Sequence, residues 1–294
     1  MMKVEIATCP ASWGVFWPDG TPSGVKADVF LDQAAQAGYV GIELGPVGYL
    51  PTEKQALEQA LGSRGLVARA GTACYAIDDY PDFQALYSRA RELCGLLGRL
   101  GAGFLVMMDE SAYAKNPKTK AEAGLPRQKK NFDIIKEYVA FAKQQGITVV
   151  YHPHAHSIVE TEEEILSLIN TADCKLCLDT GHHQLINGKP IFADRTTTDF
   201  YLKNHQHIPF LHFKNVSAGG MRQQAVNPSC EVEAFCPLDE GVIDFAQFRD
   251  ALKLTDYQGI GVVEQDCAKA TAEEAMALAI RNRQYLQKTG IITP

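Results

Sequence analysis

The sequence has no excess of basic residues, and this absence excludes one class of partner. Its 28 lysines and arginines face 35 aspartates and glutamates, which gives a net charge of −7. A nucleic-acid footprint needs a basic patch, and the one short basic run, RQKK at 127–130, begins an amphipathic helical pattern instead. No apolar run approaches the ~18 residues of a membrane-spanning candidate. We therefore expect no nucleic-acid partner and no membrane partner.

The sequence also predicts neither a disulfide framework nor a secretory leader. The eight cysteines are scattered, and most lie in apolar segments where a free thiol packs as a small hydrophobic group. Cys174-x-x-Cys177 lacks the second pair of a zinc ribbon, and an offset of three places its members on opposite faces of a strand. The first residues, MMKVEIATCP, alternate like a strand and do not form a signal peptide. We predict reduced thiols and a cytoplasmic location.

Short apolar runs alternate with longer amphipathic runs along the chain. The apolar runs predict strands at 4–9, 40–44, 66–71, 104–109, 147–152, 175–180, 209–214 and 260–265. The amphipathic runs predict helices near 25–37, 52–63, 82–99, 127–145, 162–170, 198–206, 244–253 and 272–288. Three of these helices begin with a threonine followed three residues later by Gln or Glu, the capping-box pattern, at Thr52, Thr161 and Thr271.

Eight strand-then-helix units indicate a parallel sheet, and eight is the number that closes a (β/α)₈ TIM barrel. The alternative is an open doubly wound sheet. Such a sheet usually has a glycine-rich phosphate turn after its first strand, where this chain has CPASWGVFWPDG. We predict an α/β fold, a single TIM barrel domain over 1–294. The longest insertion, about 215–243, follows the seventh strand and is predicted near the active-site face.

Three histidines stand at alternate positions of YHPHAHSIVET, at His152, His154 and His156. On an extended chain, alternate side chains share one face. In isolation, the stretch fits a solvated loop, or a buried histidine with a hydrogen-bond partner, somewhat better than it fits a functional site. The role of His156 is left open.

The ends of other predicted strands decide between these alternatives. Glu43 ends the second strand and Asp109 the fourth, while the last four strands end in His152, Asp179, His212 and Glu264. Burying unpaired charge is costly, so four ionisable groups at four successive strand ends indicate a metal centre better than they indicate packing. Mixed nitrogen and oxygen donors suit Mn²⁺, Fe²⁺, Co²⁺ or Zn²⁺ better than Ca²⁺.

Several motifs, in order along nearly the whole chain, resemble the inosose dehydratases of the xylose-isomerase-like TIM barrel superfamily of sugar phosphate isomerases and epimerases. They are CPASWGV (9–15), ELGPVGYLP (43–51), YHPHAH with VET, LDTGH (178–182), HFKNV (212–216) and VVEQD (262–266). The resemblance implies that Asp179, His212 and Glu264 bind one divalent metal ion. The superfamily usually has a glutamate ligand at the position of His152. Inosose dehydratases have histidine there, as this chain does. We expect Mn²⁺ or Co²⁺, with Zn²⁺ and Fe²⁺ as alternatives. The sequence departs from the family at Ala155–His156, where glycine is usual, and this puts the substrate in question more than the metal.

The resemblance also implies a reaction, the dehydration of a keto-cyclitol such as 2-keto-myo-inositol (scyllo-inosose) in inositol catabolism. A base removes the proton alpha to a metal-polarised ketone, and a beta-hydroxyl is then lost. Glu264 is the candidate base and Glu43 the second choice, while His182 and His154 are candidate acids. The partner is then a small polyhydroxy ketone, and a homo-oligomer stays an open alternative.

Substrate contacts are expected from His154, Lys214 and Trp13. Trp13 fits an apolar wall against a sugar ring and ordinary core packing equally well, and Lys214 also fits a lysine paired with an acid. Two alternative functions stay open. One is a divalent-metal-dependent ketose or cyclitol isomerase or epimerase, and the other is a barrel without catalysis that binds a sugar or a partner. Related epimerases use two glutamates as paired bases. Because His152 would be tied to the metal, that arrangement is weakened here and the dehydratase is favoured.

Overall fold

Eight parallel strands close into a barrel in this computed structural model, which describes residues 2–227, 231–266 and 270–292. In chain order the barrel strands are β1 (Lys3–Thr8), β2 (Gly41–Glu43), β3 (Val67–Tyr75), β4 (Phe104–Asp109), β5 (Thr148–Tyr151), β6 (Lys175–Asp179), β7 (Phe210–Phe213) and β10 (Gln258–Val263). Two short strands, β8 (Asn215–Val216) and β9 (Phe235–Cys236), form an antiparallel pair outside the barrel. The barrel order is β1-β10-β7-β6-β5-β4-β3-β2, which confirms the (β/α)₈ prediction.

Helices surround this barrel and cover its outer face. They are α1 (Ala27–Gln36), α2 (Lys54–Gly62), α3 (Tyr87–Leu100), α4 (Pro117–Gln144), α5 (Glu162–Ala172), α6 (Thr180–Asn187), α7 (Thr196–Asn204), α8 (Ala218–Val226), α9 (Glu231–Ala234), α10 (Phe245–Leu254) and α11 (Ala272–Thr289). In the described ranges, no helix combines the length and the apolar character needed to cross a membrane.

The strands are buried on both faces, which explains why they occur in the sequence as nearly continuous apolar runs. One apolar cluster fills the barrel interior and includes Val106, Val150 and Phe210. A larger cluster lies between the strands and the helices. Cys177 belongs to the interior cluster and Cys174 to the outer one, as their offset of three predicts. The described cysteines are free thiols, and Cys230 and Cys267 lie outside the described residues.

Local differences from the predicted elements have identifiable causes. Capping boxes at Thr161 and Thr271 are confirmed, but the one predicted at Thr52 is wrong, because α2 begins after Glu53 with no side-chain cap. Helix α4 begins ten residues before the predicted 127, and its N-terminal turns are separated from the rest at Gly124, where φ is 63°.

Two further differences lie close to the strand ends. Strand β3 continues past the predicted 71 because β4 pairs with it as far as Tyr75↔Asp109. Helix α6 was not predicted, and it begins directly after β6. The Asp179 side chain accepts a hydrogen bond from the His182 backbone N–H at 2.8 Å, which caps this helix.

Candidate metal centre and pocket

The predicted site residues converge at the carboxyl ends of the barrel strands. A cavity of about 270 Å³ opens there, and five of them line it: Glu43, His152, His154, His212 and Glu264. Another cavity, of about 340 Å³, lies at the opposite end of the barrel. Its charged residues Lys3, Glu5 and Arg69 already form ion pairs, each at 3.1 Å. We therefore place the candidate site at the carboxyl end.

The centre of this site is formed by His152, Asp179 and His212, whose ligand atoms all lie within 4.8 Å of one another. Asp179 and His212 face each other in the register of β6 and β7, and His152 directly follows β5. The Asp179 Oδ2 atom lies 3.4 Å from His152 Nε2 and 3.7 Å from His212 Nδ1. All three side chains are buried. The barrel topology thus brings three nitrogen and oxygen donors to one point.

The unsatisfied polar atoms of the site test whether a metal ion fits. Among the described residues, buried atoms here without a hydrogen-bond partner of suitable geometry are His152 Nδ1, His152 Nε2, Asp179 Oδ2, His212 Nδ1 and Glu264 Oε2. Glu264 Oε2 lies 2.5 Å from His212 Nδ1, so Glu264 adjoins the three central residues. Buried polar atoms that approach one another without bonding are expected where a shared ion satisfies them. The donor set fits one divalent metal ion.

Glu43 supports this centre through His212. Its Oε2 atom lies 2.8 Å from His212 Nε2, and its Oε1 atom accepts a hydrogen bond from the Thr72 hydroxyl at 2.9 Å. In the tautomer with the proton on Nε2, His212 donates a hydrogen bond to Glu43, and the lone pair of Nδ1 faces Asp179 and Glu264. A carboxylate that holds the distal nitrogen of a ligating histidine is a common support in metal sites. Glu43 therefore holds the His212 ring, and both of its oxygens are already engaged.

The electrostatics of the site favour a bound cation. Burial raises the pKa of Asp179 and of Glu264, but the charges of neighbouring groups, above all Lys214, outweigh burial and lower both pKa values. Burial lowers the pKa of His212, but Cys177, Glu264 and Glu43 outweigh it and raise that pKa well above its usual range. The carboxylates are therefore ionised, and the negative potential around His212 attracts positive charge.

Lys214 is placed differently from the prediction that it contacts substrate. Its side chain is 1% exposed and is not among the residues that line the cavity. The ammonium lies 3.0 Å from Asp266 Oδ2, 3.2 Å from Glu264 Oε1 and 3.3 Å from Asp179 Oδ2. These contacts correct the prediction, because a cation already surrounded by three carboxylates has no direction left toward a substrate oxygen.

His154 and His182 form a close pair, with their ring centroids 3.9 Å apart and their planes tilted by 39°. His154 lines the cavity, and burial lowers its pKa to about 4, so its imidazole is neutral near neutral pH. His182 lies behind it, with Nε2 3.2 Å from Lys214 Nζ and Nδ1 accepting a hydrogen bond from the Ala155 N–H at 3.3 Å. His182 therefore supports His154, and its predicted role as a proton donor to the substrate is not favoured.

His156 contacts the insertion and the loop after β5. Its φ is 57°, a conformation that glycine adopts more easily, and its Nε2 lies 2.8 Å from Gln224 Nε2 in α8. Its backbone N–H donates to Glu160 Oε2 at 2.8 Å. His156 thus connects the loop after β5 with the insertion.

Trp13 must be corrected as a substrate wall. It is fully buried outside the cavity, with its ring edge-on to Phe30 at 5.0 Å and its Nε1–H donating to Gln33 Oε1 at 2.7 Å. The tryptophan that lines the cavity is Trp17, which is 60% exposed. The residues before Thr21 turn back on themselves, which brings Trp17 to the rim, and the strand pattern carried no signal for this turn.

Sequence reasoning also missed Asp266 and Phe235. Asp266 lines the cavity, and burial raises its pKa to about 6. Its position two residues after Glu264 was the available signal. Phe235 belongs to the 215–243 segment, and its ring lies 4.8 Å from the His182 ring and 4.7 Å from Lys214 Nζ. Part of the insertion therefore covers the site.

A closed parallel barrel with a histidine and carboxylate centre at its carboxyl end defines a class of TIM barrel enzymes. The sequence matches the family described as xylose isomerase-like TIM barrel over residues 31–288. The chain belongs to this family, and it is an enzyme of the xylose isomerase-like superfamily.

Several known proteins are similar to this chain over most of its length. The inosose dehydratase of Geobacillus thermodenitrificans is 25% identical, over 98% of this chain and 97% of that protein. The rhizopine catabolism protein MocC of Rhizobium meliloti is 26% identical, over 90% of this chain and 82% of that protein. Among solved structures, the IolI protein, described with a bound zinc atom, is similar with a TM-score of 0.73 at 16% identity, covering 99% of this chain and 100% of that one. Together with the family match, these similarities place the chain among the xylose isomerase-like TIM barrels.

Proposed function

We propose that the protein is a metal-dependent hydro-lyase that removes water from a keto-cyclitol such as 2-keto-myo-inositol. The observation that carries the proposal is the convergence of His152, Asp179 and His212 at the mouth of the barrel. Full-length similarity to inosose dehydratases supports the choice of reaction. The acidic cavity wall, which includes Glu43, Glu110 and Asp266, favours an uncharged substrate over an anion.

The metal would be held by His152, Asp179 and His212, with Glu264 as a fourth ligand. A divalent ion held there would supply Lewis acidity that polarises a ketone and acidifies the adjacent C–H bond. We propose Mn²⁺ or Co²⁺ as this ion. Zn²⁺ and Fe²⁺ are the alternatives that the same donors accept, and the zinc in the IolI structure supports the former.

Proton transfer is assigned to two cavity groups that are neither proposed metal ligands nor ligand supports, His154 and Asp266. Glu264, the base expected from the sequence, has Oε1 on Lys214 and Oε2 beside His212, which suits a ligand better than a base. Glu43 is likewise engaged at both oxygens. His154 is a neutral imidazole that lines the cavity, so it can accept the proton alpha to the ketone.

The C–H bond alpha to the ketone breaks, its proton passes to His154, and its electron pair forms the new C=C bond. The C–O bond to the beta-hydroxyl breaks, and the departing oxygen takes a proton from the carboxyl form of Asp266, whose pKa burial raises to about 6, and leaves as water. The enol product tautomerises to a dione. Trp17 and its neighbours Phe16 and Met108 provide an apolar surface for the ring.

The test is to incubate the Mn²⁺- or Co²⁺-loaded protein with 2-keto-myo-inositol in deuterated water. A dehydratase accumulates an absorbing product that lacks one molecule of water. An epimerase or isomerase returns a compound of unchanged composition, with solvent deuterium on an inverted or migrated centre. The second result would replace the lyase proposal with an isomerase or epimerase.

The assignment of residues is tested separately. We expect His154→Gln and Asp266→Asn each to lower kcat by about 100-fold or more, as general acid–base groups do, while metal content stays at the wild-type value. Exchange of the alpha proton with solvent, monitored by NMR, distinguishes the role of His154 from that of Asp266. His154→Gln should lose exchange, whereas Asp266→Asn should keep exchange and lose elimination. Equal exchange in both variants and the wild type would overturn the assignment.

A further inference from the structure

Lys214 is a buried cation at the metal centre, and its surroundings point to a role that neither substrate binding nor packing explains. Its ammonium contacts Asp179 Oδ2 and Glu264 Oε1, oxygens of two proposed metal ligands. It also contacts Asp266 Oδ2 and lies over the Phe235 ring.

The route of the Lys214 side chain is built into the fold. At Gly181, a Cβ atom would lie 2.7 Å from Lys214 Cγ and 2.9 Å from its Cβ, so the lysine stem occupies the space that any larger residue would need. The neighbouring Thr180 hydroxyl donates to the Lys214 carbonyl at 2.6 Å. The LDTGH and HFKNV motifs therefore act together: the first provides a carboxylate and the space through which the second brings an ammonium to it.

We propose that Lys214 is an internal counter-ion that shares Asp179 and Glu264 with the metal and thereby limits the affinity for metal. Asp179 Oδ2 lies 3.3 Å from the ammonium and 3.4 Å from His152 Nε2, so the same oxygen faces both the lysine and the ligand cluster. Glu264 divides its oxygens in the same way, with Oε1 toward Lys214 and Oε2 toward His212.

Two consequences follow from this sharing. Without the ammonium, Asp179, Glu264 and Asp266 would lie buried with less opposing charge, so the metal-stripped protein should lose stability. The metal would also meet carboxylates that no second cation neutralises, so it should bind more tightly. A residue that only orients the ligands would give the opposite sign for affinity, since losing such a support weakens metal binding.

The experiment compares wild type, Lys214→Met and Lys143→Met. Methionine keeps an unbranched stem without the charge, and Lys143 is a control because its side chain is 79% exposed at the end of α4. Co²⁺ affinity is measured by competition with a chelating dye, and Tm is measured for stripped and loaded protein. For Lys214→Met we expect affinity to rise by about tenfold or more. We expect the stripped Tm to fall by roughly 5 °C or more. The control should match wild type in both.

Each other outcome decides the question. Unchanged or weaker Co²⁺ binding by Lys214→Met would overturn the proposal. A variant that folds only with metal present would support it. If Lys214→Met folds under neither condition, Lys214→Met/Asp266→Asn removes one charge of each sign. Recovery of folding with Co²⁺ affinity above wild type supports the counter-ion role, and any other result overturns it.

The inference rests on the metal-binding part of the proposed function and not on dehydration. If the wild type binds no divalent ion, the metal centre and the counter-ion proposal both fail. If it binds Co²⁺ but does not dehydrate the ketone, only the reaction fails, and the affinity comparison stands.

Discussion

Replacing Glu43 should weaken metal binding, and the loss of affinity should grow with the number and strength of the hydrogen bonds that the replacement removes. Glu43 accepts from Thr72 at 2.9 Å and pairs with His212 Nε2 at 2.8 Å, and it is buried. Glu43→Gln can still present its carbonyl oxygen to His212 while its amide faces the Thr72 hydroxyl. The variant therefore loses charge assistance but not the hydrogen bond.

The magnitudes follow from these contacts. A charge-assisted hydrogen bond exceeds a neutral one by about 1–2 kcal/mol, so Glu43→Gln should weaken metal affinity by about 5- to 30-fold. Glu43→Ala leaves His212 Nε2 without its partner, and the loss of metal affinity should approach about 100-fold. Thr72→Val removes only the support of Glu43, and we expect a loss of about threefold, at the low end of neutral hydrogen bonds.

The assay is a competition titration with a chelating dye on stripped protein, accompanied by kcat and KM at saturating metal. The expected order of affinity is wild type, Thr72→Val, Glu43→Gln and Glu43→Ala. The reasoning would be refuted if Glu43→Gln bound metal like wild type while kcat fell by more than about 1000-fold. That result would identify Glu43 as the proton acceptor that the sequence offered as second choice.

Three further predictions concern other groups. Asp179→Asn should weaken metal binding by about 100-fold or more, measured as metal content after dialysis, because the amide lacks the charge that balances the ion. Trp17→Ala should raise KM for the keto-cyclitol about tenfold with kcat within about twofold. The matched Trp13→Phe should leave both unchanged and lower stability by about 1–3 kcal/mol through loss of its bond to Gln33. Burial lowers the pKa of His183 from 6.5 to about 3, so the unfolded chain binds the extra proton between these values and stability falls as pH falls through that window. Urea unfolding from about pH 7 to about pH 5 should show this slope, and His183→Gln should reduce it; an unchanged slope in the variant would contradict the assignment.

The barrel and the donors at its strand ends could be predicted from sequence patterns alone. The hydrophobic periodicity and the length of each segment distinguished eight apolar runs from the amphipathic ones. Parallel strands in a barrel bring their carboxyl ends to one side. Residues such as His152 and Asp179, which end neighbouring strands, were therefore predicted to meet from position alone. Capping at Thr161 and Thr271 was predictable because the pattern is local, although the same pattern at Thr52 does not form a cap.

Only the tertiary structure decided what each side chain contacts. Trp13 and Trp17 are four residues apart, yet a turn places one in the core and the other at the cavity rim. Lys214 directly follows a strand, but the space over Gly181 directs its ammonium to three carboxyl groups and away from the cavity lining. Strand periodicity fixes the face of a residue and its level in the barrel. The final direction of a long side chain depends on neighbours that are distant in sequence, and no local pattern records them.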